Sequence, residues 1–425
     1  MKKFAISVIV LLFITMLFLG ACDKEEEYTV TKEQYEFLQS ISAEDYERLS
    51  NMDLLLEAME YCENNYYSDI DYVDADAAAA RAYVKSLDRY SYMMLASEAA
   101  NQSTAGIGLQ LDITDYNEYR INYVHPDTPA AAASEGGAYH MQRGDFIYAV
   151  NGKRVDGGSY SNFVRISAGG VDTELTLTIR RGMEILDENF ICVKQELTLR
   201  KAYYINDIAG LPSEVGYIRY ISFEAGSDAD FMSCISSFIV DDNEYLILDL
   251  RGNGGGSSAV LSSVASYLVT DEGDNNEIPL IYFEPKGKES QVFSTEVNFF
   301  IDVPIIVLVD KNTASASEAL ISAMRYYGTG VIIGSTTYGK GTGLNSGGYI
   351  MDDNNDVYVI SVVVGKYYVY TDDSELDLTD GVADGKWCIE GVGLEPDVEV
   401  TNVEFTDDLG SDADIQAAID YWNLD

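Results

Sequence analysis

Ser315 and Lys340 are the two residues whose types and surroundings could do covalent chemistry. Ser315 stands in VDKNTASASEAL, where the apolar run IIVLV gives way to a helix-like segment. Lys340 stands in TTYGKGT, just past a second apolar run, VIIG. The chain holds only two histidines, His125 and His140, both far upstream. A serine nucleophile here needs a base other than histidine, and lysine is the other known partner. To act as a base near neutral pH, a lysine must fall by roughly three from its reference pKa of about 10.4. That demand predicts a dry pocket facing Ser315, with no carboxylate close by.

Each residue also has a plainer reading. Ser315-Ala316-Ser317-Glu318 fits S-x-x-E, a helix capping box. A serine at a strand-to-helix turn is nevertheless exposed, and the free N–H groups of the helix start can hold an oxyanion. Lys340 could be a solvated loop lysine. Gly334–Gly341 also nearly matches the phosphate loop GxxxxGK[ST], but Gly341 stands where the Mg²⁺-binding hydroxyl belongs, and GLNSGGYI after it is not helical. The glycine-rich turn DLRGNGGG, directly after YLILDL, lacks the third glycine of a dinucleotide loop. What it can do is present backbone N–H groups, one of which would pair with that of Ala316 as an oxyanion hole.

The elements that must position these residues follow an α/β pattern. From residue 215, VGYIRYISF, YLILDL, PIIVLV and VIIG alternate with helix-like stretches, which predicts a largely parallel sheet. VYVISVVVGKYYVY reads as antiparallel or edge strand, and DADIQAAIDYW as a final helix over 406–425. Residues 103–200 hold short β-like runs, with an Asn151-Gly152 hairpin signal and a short helix in PDTPAAAASEGGA. Residues 31–102 carry apolar positions at helical spacing, and ADAAAARAYVKSLDRYSYMM is expected to continue that helical segment.

The chain has 425 residues, two or three domains' worth, and a formal net charge of −44. Such acidity repels nucleic acid, and no basic stripe offsets it. Lys2 and Lys3 precede the apolar run FAISVIVLLFITMLFLG, too short for a favourable span, so residues 1–21 read as a signal segment. Leu19-Gly20-Ala21-Cys22 looks like a lipobox with Cys22 as the lipidated residue, and residues 22–30 as a tether. That predicts a cell-envelope protein, anchored to the outer membrane by lipid and facing the periplasm or the surface. The remaining four cysteines form no CxxC pair, which argues against zinc.

Taken together, the motifs resemble the carboxyl-terminal processing peptidases, or tail-specific proteases. KSLDRYSYM, GIGLQL through TIRRG, LILDLRGNGGG, NTASASEAL, TYGKGT and EGVGLEPDVEV occur in the family's order. The resemblance implies a mixed α/β fold: a helical lead-in, an inserted β-rich PDZ domain over 103–200 and a ClpP/crotonase-like catalytic domain over 201–405. It implies a serine endopeptidase with Ser315 as nucleophile and Lys340 as general base, and an oxyanion hole from the N–H groups of Ala316 and Gly256. It implies protein substrates bound by their C-termini at Gly106, Ile107, Gly108 and Leu109, without metal or cofactor. Helical extensions at the two ends could support a dimer. The family often has glutamine four residues after the lysine; here that position is Leu344, with Asn345 next as the candidate orienting group. This departure keeps a second reading open, a PDZ-bearing binding lipoprotein with a degenerate protease domain.

Overall fold

A computed structural model describes residues 72–96, 105–114, 116, 118–133, 139–155, 163, 166–167, 169–206, 208, 210–271, 277–296, 299–351, 356–369, 388–400 and 409–424. Cys22, the signal segment, the tether and most of the expected helical segment lie outside the described residues. The chain divides into two compact units, Met1–Ala80 and Arg81–Asp425; the second carries everything that follows from Arg81 on.

In chain order the elements begin with α1 (Tyr72–Leu87) and β1 (Tyr92–Leu95). Next come β2 (Ala105–Gly106), β3 (Leu109–Ile113), β4 (Tyr119–Val124), α2 (Pro129–Ala133), β5 (Phe146–Val150), β6 (Lys153–Arg154), β7 (Glu174–Arg181), β8 (Glu184–Val193) and β9 (Gln195–Glu196). The expected alternation then starts: β10 (Ala202–Ile205), β11 (Val215–Tyr220), α3 (Ser227–Val240), β12 (Tyr245–Asp249) and α4 (Ser258–Leu268). It continues with β13 (Glu277–Pro285), β14 (Gln291–Glu296), β15 (Ile305–Val309), α5 (Ala316–Tyr326) and β16 (Val331–Gly334). The last elements are β17 (Thr342–Met351), β18 (Val357–Tyr368), β19 (Val398–Glu399) and α6 (Ala413–Trp422).

The central sheet runs β10-β11-β12-β15-β16-β19, and every neighbouring pair except β10-β11 is parallel. Both faces are covered, which is why these strands read as unbroken apolar runs rather than alternating ones. Leu246, Leu248, Val307 and Val309 face a core shared with α3, α4 and α5. Ile247, Ile306 and Leu308 face a second core closed by Ile415, Ala418 and Ile419 of α6.

A second sheet, β1-β18-β13-β14 with β17 on β18, is antiparallel and leans on the same core. Here the sequence reading needs correction. Residues 92–95 do not extend α1; they form β1, paired Tyr92↔Ser361 through Leu95↔Tyr358. Pairing with a long strand outweighs the weak helical preference of four residues.

The β-rich unit between 103 and 200 is a sheet in the order β3-β4-β5-β7-β8, with β6 on β5. Its β5-β6 hairpin turns at Asn151 and Gly152, with φ 51° and 72°, as a two-residue turn with both φ positive requires. This unit docks on the end of β12. Asn122 Nδ2 donates to the Gly252 carbonyl at 2.9 Å, and Arg143 pairs with Asp310 at 2.6 Å, both sites buried. Asp310 in turn accepts the Gly252 N–H at 2.8 Å. Beneath the turn, Asp249 is held between Arg219 (2.6 Å) and Arg251 (2.7 Å), and Arg251 reaches Asp412 and Asp414 at the start of α6.

Candidate active site

Ser315 sits at the corner between β15 and α5 with φ 60° and ψ −119°, a conformation that costs a non-glycine residue energy. The corner is stitched to the glycine-rich turn that follows β12. The Asn253 carbonyl accepts the Ala314 N–H and the Ser317 hydroxyl, each at 3.0 Å. Gly255 (φ 91°) presses directly on it: a Cβ there would lie 2.6 Å from the Ala314 carbonyl oxygen and 2.7 Å from Ser315 Cβ and from the Ala316 nitrogen. Only glycine fits this approach.

The same turn offers amides. The Gly255 N–H is taken by Asn253 Oδ1 at 3.0 Å. Gly256 forms a parallel bridge with Phe223, in which Phe223 bonds to the residues on either side of it. That geometry points Gly256's own N–H away from Phe223. Among the described residues neither the Gly256 N–H nor the Ala316 N–H, at the start of α5, has a hydrogen-bond partner.

Glu318 joins the serine corner to the lysine loop. It is fully buried, and its Oε2 accepts both the Ser315 N–H (2.8 Å) and the Lys340 N–H (2.9 Å). Its Oε1 accepts the Thr337 hydroxyl (2.6 Å) and the Gly339 N–H (2.7 Å). Burial holds its carboxyl above the ordinary value despite these four donors. Tyr367 of β18 adds a second tie: its hydroxyl donates to the Lys340 carbonyl and also lies in hydrogen-bond range of Ser315. One carboxylate and one phenol thus bring together residues that the sequence places 25 apart.

Lys340 is half-buried, and the dehydration of its amine lowers its pKa. The expectation that no carboxylate lies close by was wrong. Glu390 and Glu318 both act on the amine and favour its charged form, and burial outweighs them. Nζ lies 5.3 Å from the ring centroid of Tyr90. Asn345, the candidate orienting group, is exposed on β17; the groups found around Lys340 are Tyr90, Tyr367, Glu318 and Glu390.

Gly106, Ile107, Gly108 and Leu109 line a separate cavity of about 300 Å³, with Ile147 and Leu177 among its walls. The carbonyls of Ile107 and Gly108 are bound by the N–H groups of Ala130 (2.8 Å) and His125 (2.9 Å). In a trans peptide this turns the N–H groups of Gly108 and Leu109 the opposite way.

Residues 214–400 match the family model described as Peptidase family S41, and this span holds the glycine turn, Ser315 and Lys340. Residues 214–400 thus form a region similar to peptidase family S41. The chain is similar to the carboxy-terminal processing protease CtpB of Bacillus subtilis, 26% identical over 305 residues, covering 70% of this chain and 61% of the relative. It is 28% identical over 360 residues to CtpA of the same species, covering 82% of this chain and 69% of the relative. The chain therefore spans about three fifths to two thirds of these relatives' length. Among solved structures, the photosystem II D1 C-terminal processing protease overlays with a TM-score of 0.55 and 21% identity, covering 88% of this chain and 94% of the other. An S41 protease structure from Bacteroides fragilis, described as putative, gives 0.54 and 19%, covering 84% and 92%. At these identities the likeness speaks for a shared mixed α/β fold.

Around the candidate site, sequence reasoning missed Arg89, Tyr90, Tyr367, Glu390 and the second role of Glu318. Glu318 had a signal, S-x-x-E, but its oxygens serve the lysine loop as well as the helix start. Tyr90 and Glu390 lay inside motifs noted only for their order in the chain.

Proposed function

We propose that this protein is a serine endopeptidase that cleaves protein substrates held by their C-termini. The observation that carries the reading is the Glu318 carboxylate, which holds the amides of Ser315 and Lys340 on one oxygen while the lysine amine is dehydrated. In the proposed reaction Lys340 Nζ takes the Ser315 hydroxyl proton as Oγ attacks the scissile carbonyl carbon. The N–H groups of Ala316 and Gly256 stabilise the oxyanion. Lys340 returns the proton to the leaving amine, and then takes one from the water that hydrolyses the acyl-enzyme. Gly106–Leu109 and their cavity act as a PDZ site: the N–H groups of Gly108 and Leu109 bind the terminal carboxylate, and the apolar walls take the last side chain.

The test is intact-mass detection of Ser315 labelling by a fluorophosphonate, together with turnover of an unfolded protein. Ser315→Ala should abolish both. Lys340→Ala should lower both by at least about a hundredfold. Turnover that survives either change would overturn the dyad. A folded protein that binds peptide tails yet never labels would favour the binding-protein reading, which Leu344 motivates. The lipid anchor at Cys22 and envelope location belong to the same proposal and would be tested by metabolic labelling with a fatty acid, lost in Cys22→Ala.

A further inference from the structure

We infer that Tyr90 is a positioning residue for Lys340: its ring, fixed by Arg89 and Glu390, is the lid that keeps the lysine amine out of water. The inference rests on the Ser315–Lys340 reading and concerns how Lys340 becomes a base where Leu344 stands at the usual glutamine position.

The lid is assembled from distant parts of the chain. Tyr90 Oη donates to Glu390 Oε1 at 3.0 Å, and Arg89 Nη2 donates to the same oxygen at 2.7 Å. The other oxygen of Glu390 accepts the Gly341 N–H at 2.9 Å. Glu390 therefore grips the lid with one oxygen and the lysine loop with the other. Arg89 Nη2 also donates to the Gly339 carbonyl at 3.1 Å. Its guanidinium lies over the rings of Tyr90 and Tyr338, with centroids at 4.7 Å and 5.0 Å. Upstream, Asp88 Oδ1 accepts the N–H groups of Tyr90 and Ser91, each at 2.7 Å, which fixes the turn that carries the ring. The bonds reach both residues that flank Lys340, and the ring covers its amine at 5.3 Å.

The charges that face Lys340 do not explain a free amine. Glu318 and Glu390 both favour the ammonium, and so does the electron-rich face of Tyr90. Arg89 is exposed and paired with Glu390, and Tyr367 is buried and neutral. Exclusion of water is the effect left to favour the neutral amine, and Tyr90 supplies the covering surface. Glu390 thus costs the base some strength electrostatically while holding the lid in place.

The experiment measures the second-order rate of Ser315 labelling by a small fluorophosphonate from pH 5 to pH 11, on the chain without its signal segment. The unmodified protein should show a rate that rises with pH along a limb absent in Lys340→Ala. In Tyr90→Ala the limb should move to higher pH. Labelling at pH 7 should fall by about tenfold or more, and recover at pH 11 to within about threefold. Tyr90→Phe, which keeps the ring and loses only the Glu390 hydrogen bond, should bring the limb back. Arg89→Ala, at an exposed position, should move it in the same direction by less and serves if Tyr90→Ala does not fold. A limb left in place in Tyr90→Ala and Arg89→Ala, or a loss equal at every pH, overturns the lid alone. No Lys340-dependent limb in the unmodified protein overturns the dyad reading, and the lid with it.

Discussion

Gly254 and Gly255 are neighbours in one turn, yet alanine should act on them very differently. At Gly254 a Cβ meets nothing within 4 Å, and φ is not positive. At Gly255 it would sit 2.6–2.7 Å from three atoms of the serine corner, two of them backbone. Ordinary carbon contacts begin near 3.5 Å, so the corner must yield by about 0.8 Å. The φ of 91° adds about 1–2 kcal/mol of strain for any side chain. A displacement of this size at a nucleophile costs up to about a hundredfold in rate. Gly255→Ala should therefore slow Ser315 labelling by about 30- to 100-fold and lower stability by about 2 kcal/mol. Gly254→Ala should stay within about threefold and 0.5 kcal/mol. Labelling kinetics with a small probe and urea unfolding measure both. Equal effects of the two substitutions would refute the argument that close backbone approach, rather than general flexibility, is what the turn requires.

Arg143→Ala should destabilise the protein by about 3 kcal/mol in urea unfolding, because it leaves Asp310 buried without its cation; a loss below about 1 kcal/mol would show that the Gly252 and Asn312 amides suffice. His125 is buried and bonded to Tyr203 at 3.0 Å, and burial, with Lys201 and Arg219 nearby, lowers its pKa to about 4. Its folded value lies below the unfolded one, so the stabilisation of the neutral ring is complete above about pH 6.5 and is lost as pH falls towards 4. The stability gap between the native protein and His125→Asn should accordingly narrow by up to about 3 kcal/mol between pH 7 and pH 4. Parallel pH dependences in the two proteins would count against this.

The parallel sheet, the Asn151-Gly152 hairpin and the Ser315 corner were legible because each is written in a local run of residues. IIVLV followed by S-x-x-E specifies a strand, a corner and a helix without help from elsewhere. The surroundings of Lys340 were not legible. Glu390 reaches its neighbour Gly341 across 49 residues and Tyr90 reaches Lys340 across 250, and no periodicity announces such a meeting. Residues 92–95 were misread for a related reason: YMML is neutral between helix and strand, and its partner β18 lies more than 260 residues away. The expected absence of carboxylates near Lys340 followed from electrostatics alone. It overlooked that Glu318 is needed to hold the loop's amides, so its charge near the lysine comes with the architecture.

The arginines that bind the core have a consequence at the surface. Arg120, Arg143, Arg219 and Arg251 are all buried, so at least four of the chain's 27 basic residues are withdrawn from the exterior. Their partners Asp249, Asp310, Asp412 and Asp414 are buried with them, so the outer face keeps close to the whole net charge of −44. An incoming polypeptide meets this field before it meets any groove. Basic tails are drawn in, and acidic ones are held off until salt shortens the reach of the field. Under the proposed peptidase function, ionic strength would select among substrates, slowing capture of cationic chains and speeding that of anionic ones, without a change in any residue of the site.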